Sequence, residues 1–121
     1  MTHKALILTL LLLVGTALAF AANDNMGAGK IKTVTFDQPM KVGTSVLPVG
    51  TYKVQHVIEG EKHIMVFTTK TSGVPEVRVP CRMENLPTRA SQALIIYRRD
   101  ASGLAVLNGL VFEGDKYSHN F

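Results

Sequence analysis

The feature that most constrains the fold of this chain is the short period of its apolar residues. Beyond the first 30 residues, apolar and polar side chains alternate in short runs, and no run keeps a helical period. The alternation is cleanest around Val77 and Val79 on one face and Arg78 and Arg82 on the other. A two-residue period buries one face of a strand and leaves the other in water, so the pattern predicts an all-β protein.

Turn signals divide this region into strands at close spacing. Asp100 and Gly103, for example, suit a tight turn between the last two strong strands. Pro80 cannot donate to a β-ladder, which places its strand at a sheet edge. About seven strands in a region of this size predict a small antiparallel β-sandwich or partly open barrel. The predicted strands cover residues 30–37, 40–42, 51–58, 62–70, 76–83, 92–99 and 104–113, followed by a short tail.

An apolar leader opens the chain. Lys4 precedes a run of apolar residues, and Ala19 and Ala21 provide the small-x-small pattern that signal peptidase requires. We therefore predict a signal peptide over residues 1–21, with cleavage one or two residues away as an alternative. The competing interpretation is an uncleaved membrane anchor, because the apolar stretch approaches the ~20 residues of a spanning helix.

The leader sets the predicted domain organisation and location. We expect a disordered new N-terminus over residues 22–29 and a single β domain over residues 30–121. The protein is then periplasmic or secreted, and it contacts a membrane only through its signal peptide.

Charge and cysteine content exclude several classes of function. Without Lys4 the chain keeps 12 Lys and Arg against 9 Asp and Glu, a net charge of +3. That charge is too small to predict nucleic-acid binding, and secretion makes nucleic acid a poor partner. The single cysteine, Cys81, excludes an internal disulfide framework and a Cys-rich zinc site.

Two histidines, His56 and His63, flank a turn at Gly60-Glu61. If the turn has two residues, His56 lies opposite Met65, and the imidazoles are diagonal neighbours about 7–8 Å apart between backbones. A three-residue turn slips the register by one and places them on opposite faces. We predict the first register, because it groups the large apolar side chains of the hairpin on one face, which burial favours by about 25 cal/mol per Å².

Imidazole pairs are candidate metal ligands. In the predicted register, His56 and His63 are candidate ligands of an extracytoplasmic metal site, and His119 of the tail is a candidate third ligand. The alternative is a half-buried histidine at a sheet rim and an exposed one near the turn. No other cofactor is expected.

Basic residues in the second half of the chain suggest a surface for partners. Arg78, Arg82 and Arg98 form a candidate binding site for an anionic polymer or another extracytoplasmic protein. The alternative is a solvated sheet face whose charges protect an edge.

Nothing in the sequence marks a catalytic centre. Cys81 lies on the apolar face of its strand, so we expect a buried, inert thiol. None of the serines of the β domain lies in a Gly-x-Ser-x-Gly elbow. We therefore expect a protein that is not an enzyme, with a small hydrolase as the least favoured alternative.

Residues 34–54 contain VTF, MKVG and LPVGTYKV in that order. This pattern resembles an uncharacterised family of small secreted bacterial β-proteins, although Met40 stands where the family often has an aromatic residue and Val49 where it often has Ala. The resemblance implies a secreted β-fold and no particular activity. The Leu-Pro-x-Gly-x-Tyr turn is also similar to one in prealbumin-like β-sandwich modules.

These observations predict a secreted or periplasmic, non-enzymatic binding or structural module whose ligand the sequence does not identify. A metal-binding protein that uses His56 and His63 is the alternative.

Overall fold

The computed structural model describes residues 27–121, and within this range the chain is all-β, as predicted. The leader, its cleavage site and most of the N-terminal stretch lie outside the described residues. In the described range we find no helix long and apolar enough to cross a membrane. The strands are β1 (Ile31–Phe36), β2 (Met40–Val42), β3 (Ser45–Leu47), β4 (Gly50–Glu59), β5 (Lys62–Thr68), β6 (Val77–Asn85), β7 (Leu94–Arg99), β8 (Ala105–Val111) and β9 (Tyr117–Asn120).

Residues 27–121 form nine strands, whereas about seven were expected, because two further short segments pair as strands. The residues before Pro48 form β3, which pairs with β2. The C-terminal residues, expected as a tail, form β9, which pairs with both β6 and β8. Residues 27–29 form a turn before β1, in which the Gly29 N–H donates to the His56 carbonyl at 2.6 Å.

The strands form one open sheet in the order β1-β4-β5-β6-β9-β8-β2-β3, with β7 also paired to β8. All pairs are antiparallel except β2 with β8, which are parallel. β7 pairs along the whole length of one edge of β8. The other edge of β8 is shared by two strands, β2 and β9. In the described part of the chain β1 pairs only with β4 and β7 only with β8, so the sheet does not close.

β6 joins the two halves of the sheet. Residues 77–81 pair with β5, whereas residues 82–85 pair with β9. The prediction that this strand lies at the sheet edge is wrong for the strand as a whole. The prediction holds for the first half of β6, because residues 77–81 pair with β5 alone among the described strands. Pro80 lies in this half, so a strand that lacks one N–H donor has no second ladder to break there.

The buried apolar side chains form one hydrophobic core cluster. Tyr52 of the Leu-Pro-x-Gly-x-Tyr turn is buried there, and its hydroxyl donates to the Pro48 carbonyl at 2.7 Å. Phe36 packs between Tyr52 and Phe67, with ring centroids 5.5 and 6.5 Å away. The largest fully buried side chains are Phe36, Phe67, Met40, Leu47, Met65, Leu110, Val42 and Val54.

Candidate metal centre

The β4–β5 hairpin has the two-residue turn that the sequence predicts. Glu59 pairs with Lys62, which leaves Gly60 and Glu61 as the turn, and Gly60 has a φ of 63°. This left-handed conformation suits glycine, which has no Cβ to clash with the backbone. In the resulting register His56 lies opposite Met65, so the predicted register is confirmed.

His56 and His63 project from the same face and touch. The Nε2 atom of His56 lies 2.7 Å from the Nδ1 atom of His63, within hydrogen-bond distance, and the ring centroids are 4.9 Å apart. One nitrogen donates and the other accepts, according to the tautomer of each ring. His56 is buried with the core and His63 is half-buried, so neither ring is the exposed histidine of the alternative interpretation.

β9 brings a third imidazole to this pair. The His119 ring meets that of His56 edge-on at 5.3 Å between centroids, and it also meets Phe112 edge-on at 5.5 Å. His119 is 4% exposed, and its Nδ1 atom has no hydrogen-bond partner among the described residues. The sequence placed His119 only in a tail, and the pairing of β9 with β6 and β8 decides its position.

Burial controls the protonation of His119. Desolvation by burial, and to a smaller extent electrostatic interaction with His56 and His63, together lower the pKa of His119 to about 4. His119 is therefore neutral at neutral pH, which is the form in which imidazole binds metal ions.

A small cavity of about 10 Å³ adjoins the imidazoles. His56, His119 and Met65 line it on the core side, and Lys32 and Asp115 line it on the side of β1 and the β8–β9 turn. Lys32 Nζ and Asp115 Oδ1 lie 4.0 Å apart, and both side chains are partly exposed. A cavity of roughly 10–15 Å³ holds about one water-sized atom, which excludes an organic substrate from this space.

The imidazoles are not gathered around a common point. Among residues 27–121, no three His, Cys, Asp or Glu side chains are arranged to hold a metal ion as they stand. The hydrogen bond between His56 and His63 already occupies the Nε2 atom of His56 and the Nδ1 atom of His63. The arrangement is thus a cluster of imidazoles that needs a local adjustment before it surrounds an ion.

Cys81 lies directly beside this cluster. It is buried, as predicted, and it pairs with His63 across the β5–β6 ladder. Burial raises the pKa of the Cys81 thiol to about 11, so the group is a protonated thiol at neutral pH. The sequence analysis missed the pairing of Cys81 with His63, because it depends on the register between β5 and β6.

The three arginines of the predicted anion site lie on two strands, β6 and β7. Arg78 forms an ion pair with Glu59, which offsets its charge. Arg82 lies on β6 and Arg98 on β7, with β9 and β8 between these strands. All three side chains are exposed, and a common anion site remains a prediction.

Comparison with known proteins adds no relative to this picture: no family model, no curated protein and no solved structure matches the chain. The resemblance to small secreted β-proteins therefore remains a prediction. The fold and the imidazole cluster define the protein as an all-β module with an open sheet and a polar site inside its core.

Proposed function

We propose that this chain is an extracytoplasmic, non-enzymatic β-module that binds a transition-metal ion at His56, His63 and His119. The extracytoplasmic location is supported by the leader pattern of residues 1–21. The observation that carries the metal proposal is the 2.7 Å approach of two imidazole nitrogens inside the domain, with a third, neutral imidazole against them.

The adjustment that metal binding requires is small. Two imidazole nitrogens bound to one tetrahedral ion at ~2.0–2.1 Å lie about 3.3–3.4 Å from each other. Starting from 2.7 Å, the His56 and His63 nitrogens need to separate by less than about 1 Å. The ion takes the place of the proton between the two rings, and the ring that donated this proton carries it on its other nitrogen instead, so both imidazoles stay neutral. A rotation of His119 supplies a third nitrogen.

The surroundings of the cluster favour binding over catalysis. A catalytic metal centre keeps an open position for substrate. Here the adjoining cavity of about 10 Å³ admits roughly one water-sized atom. His56 and His119 are buried, and the Cys81 thiol beside the cluster has a pKa of about 11, so it is not a thiolate nucleophile at neutral pH.

Calorimetry tests this function. Residues 22–121 contain His56, His63 and His119 as their only histidines, so background binding is small. Titration with zinc or copper should give one ion per chain in the wild type, and His56→Ala and His63→Ala should lose most of the heat. Lys53→Ala, an exposed position on the same strand as His56, is the matched control and should bind as the wild type does. Equal heats for His56→Ala and the wild type, or no heat for either, would contradict the proposal.

A further inference from the structure

Each histidine of the cluster faces a sulfur-containing residue across a β-ladder. His56 pairs with Met65 between β4 and β5, and His63 pairs with Cys81 between β5 and β6. His119 pairs with Met83 between β6 and β9. Directly opposite residues of antiparallel strands have Cβ atoms about 4.5–5.5 Å apart, so each imidazole has a sulfur atom within side-chain reach.

The sulfur side chains lie on the same inward face as the imidazoles. Met65 and Cys81 are buried, and Met83 packs against the core cluster. Four sulfur side chains occur in the described residues, and the fourth, Met40, pairs with Leu47 and Ala105 away from the histidines. The grouping of imidazole and sulfur is thus a property of this one region of the core.

We infer that the metal site takes a soft monovalent ion, Cu(I), and that the Met65 thioether is a ligand beside the imidazoles. The inference rests on the proposed function and specifies its ligand. Thioether and thiolate donors favour Cu(I), whereas carboxylate and carbonyl oxygens favour harder ions. Met65 is the foremost sulfur ligand because it lines the same cavity as His56 and His119.

The charge of the site agrees with a monovalent ion. Among the described residues that line the cavity, Asp115 is the one carboxylate, and it is outnumbered by Lys30 and Lys32, of which Lys32 lies 4.0 Å from it. A single positive charge costs less to transfer from water into such an interior than a double charge does. Imidazole and thioether bind Cu(I) without losing a proton. If Cys81 also binds, its S–H bond breaks, an S–Cu bond forms and the proton leaves to solvent.

Competition titrations test the inference. Under oxygen-free conditions, residues 22–121 compete with a chromogenic chelator for Cu(I), and in a separate series with a zinc chelator for Zn(II). The wild type should bind Cu(I) more tightly than Zn(II). Met65→Leu should weaken Cu(I) binding about tenfold or more and change Zn(II) binding by less than about twofold, since one sulfur ligand is lost and no nitrogen.

Met40→Leu is the matched control, because it makes the same nearly volume-conserving change at a buried methionine that faces no histidine. It should leave both affinities unchanged. The X-ray absorption spectrum of the wild type with Cu(I) provides a second measurement, which needs no variant to fold, and it should contain a copper–sulfur scattering shell.

The outcomes separate the two proposals. Two results would overturn the inference and leave the proposed function standing, provided that zinc binding needs the histidines. The first is Cu(I) binding weaker than Zn(II) binding, and the second is a Cu(I) affinity that Met65→Leu does not change. A copper spectrum with nitrogen neighbours alone would do the same. If neither ion binds, the proposed function fails and this inference fails with it.

Discussion

The Nε2 atom of His56 and the Nδ1 atom of His63 lie 2.7 Å apart, although the two histidines are seven positions apart in the chain. The two-residue turn at Gly60-Glu61 produces this approach by making the rings diagonal neighbours on the inward face of the β4–β5 hairpin. The contact joins a buried ring to a half-buried one, so it contributes to stability before any ion is bound.

Removal of either ring should destabilise the metal-free protein. His56→Ala leaves a cavity and removes a buried hydrogen-bond partner, so we expect a loss of about 1–3 kcal/mol in the free energy of unfolding. His63→Ala should cost less, because its ring is half-buried. Urea denaturation of the two single variants and the double variant measures the coupling free energy between His56 and His63. We expect this coupling to be about 0.5–1.5 kcal/mol. Strictly additive effects would show that the hydrogen bond contributes nothing.

The turn should be sensitive to the shape of residue 60. Gly60 has a φ of 63°, and a Cβ at this position would meet nothing within 4 Å. The cost of a substitution therefore comes from the backbone conformation alone. Gly60→Val should destabilise the domain by about 1–2 kcal/mol, and Gly60→Asn by clearly less, since asparagine tolerates the left-handed region. Equal midpoints of thermal unfolding for the two variants would contradict this explanation.

Cys81 should react slowly with thiol reagents in the native state. The side chain is buried, and the raised pKa of about 11 leaves about 0.1% thiolate at pH 8. We expect labelling to accelerate by orders of magnitude in urea, with one thiol modified per chain. Labelling of the folded, metal-free protein at the rate of the unfolded chain would mean that the inward face of β6 is wrongly assigned.

The stability of the metal-free protein should fall in mild acid because of His119. Its pKa is about 4 in the folded state, against about 6.5 in the unfolded chain. Because the folded pKa is the lower one, the unfolded state binds more protons between these values, so stability present at neutral pH is lost as the pH falls from about 6.5 to about 4. The loss should be roughly 3 kcal/mol.

His119→Phe is the control for this pH dependence, because it keeps an aromatic ring and removes the titrating group. Denaturation at a series of pH values should give a shallower slope between pH 6.5 and 4 for this variant than for the wild type. Parallel curves would assign the acid sensitivity to other groups.

The mature protein should begin at or near Ala22. Mass spectrometry of the native protein from its own host measures this directly, since cleavage after Ala21 removes residues 1–21 and fixes the mass of the remainder. Substitution of Ala19 by a large residue should slow cleavage, because the peptidase pocket admits only small side chains. An intact Met1 would contradict the extracytoplasmic part of the proposed function.

The sequence by itself determined the features that depend on neighbouring residues. Alternation at Val77 and Val79 predicts a strand with one buried face, and both are buried. Asp100 and Gly103 predict a tight turn, and the Gly103 N–H donates to the Asp100 carbonyl at 3.0 Å. The register of the β4–β5 hairpin around Gly60 also followed from neighbouring residues, because a slip by one residue would turn the apolar side chains of the hairpin toward solvent.

The tertiary structure alone decided what depends on pairing between strands distant in sequence. Nothing local marks β9 as a strand, since it is short, and its position comes from pairing with β6 on one side and β8 on the other. That pairing carries His119 from the chain end to the ring of His56. It also sets His119 opposite Met83, as the β5–β6 register sets His63 opposite Cys81. A sequence pattern reports the face on which a side chain lies, whereas its neighbours across a sheet depend on strand order and register, which the burial of the whole core determines.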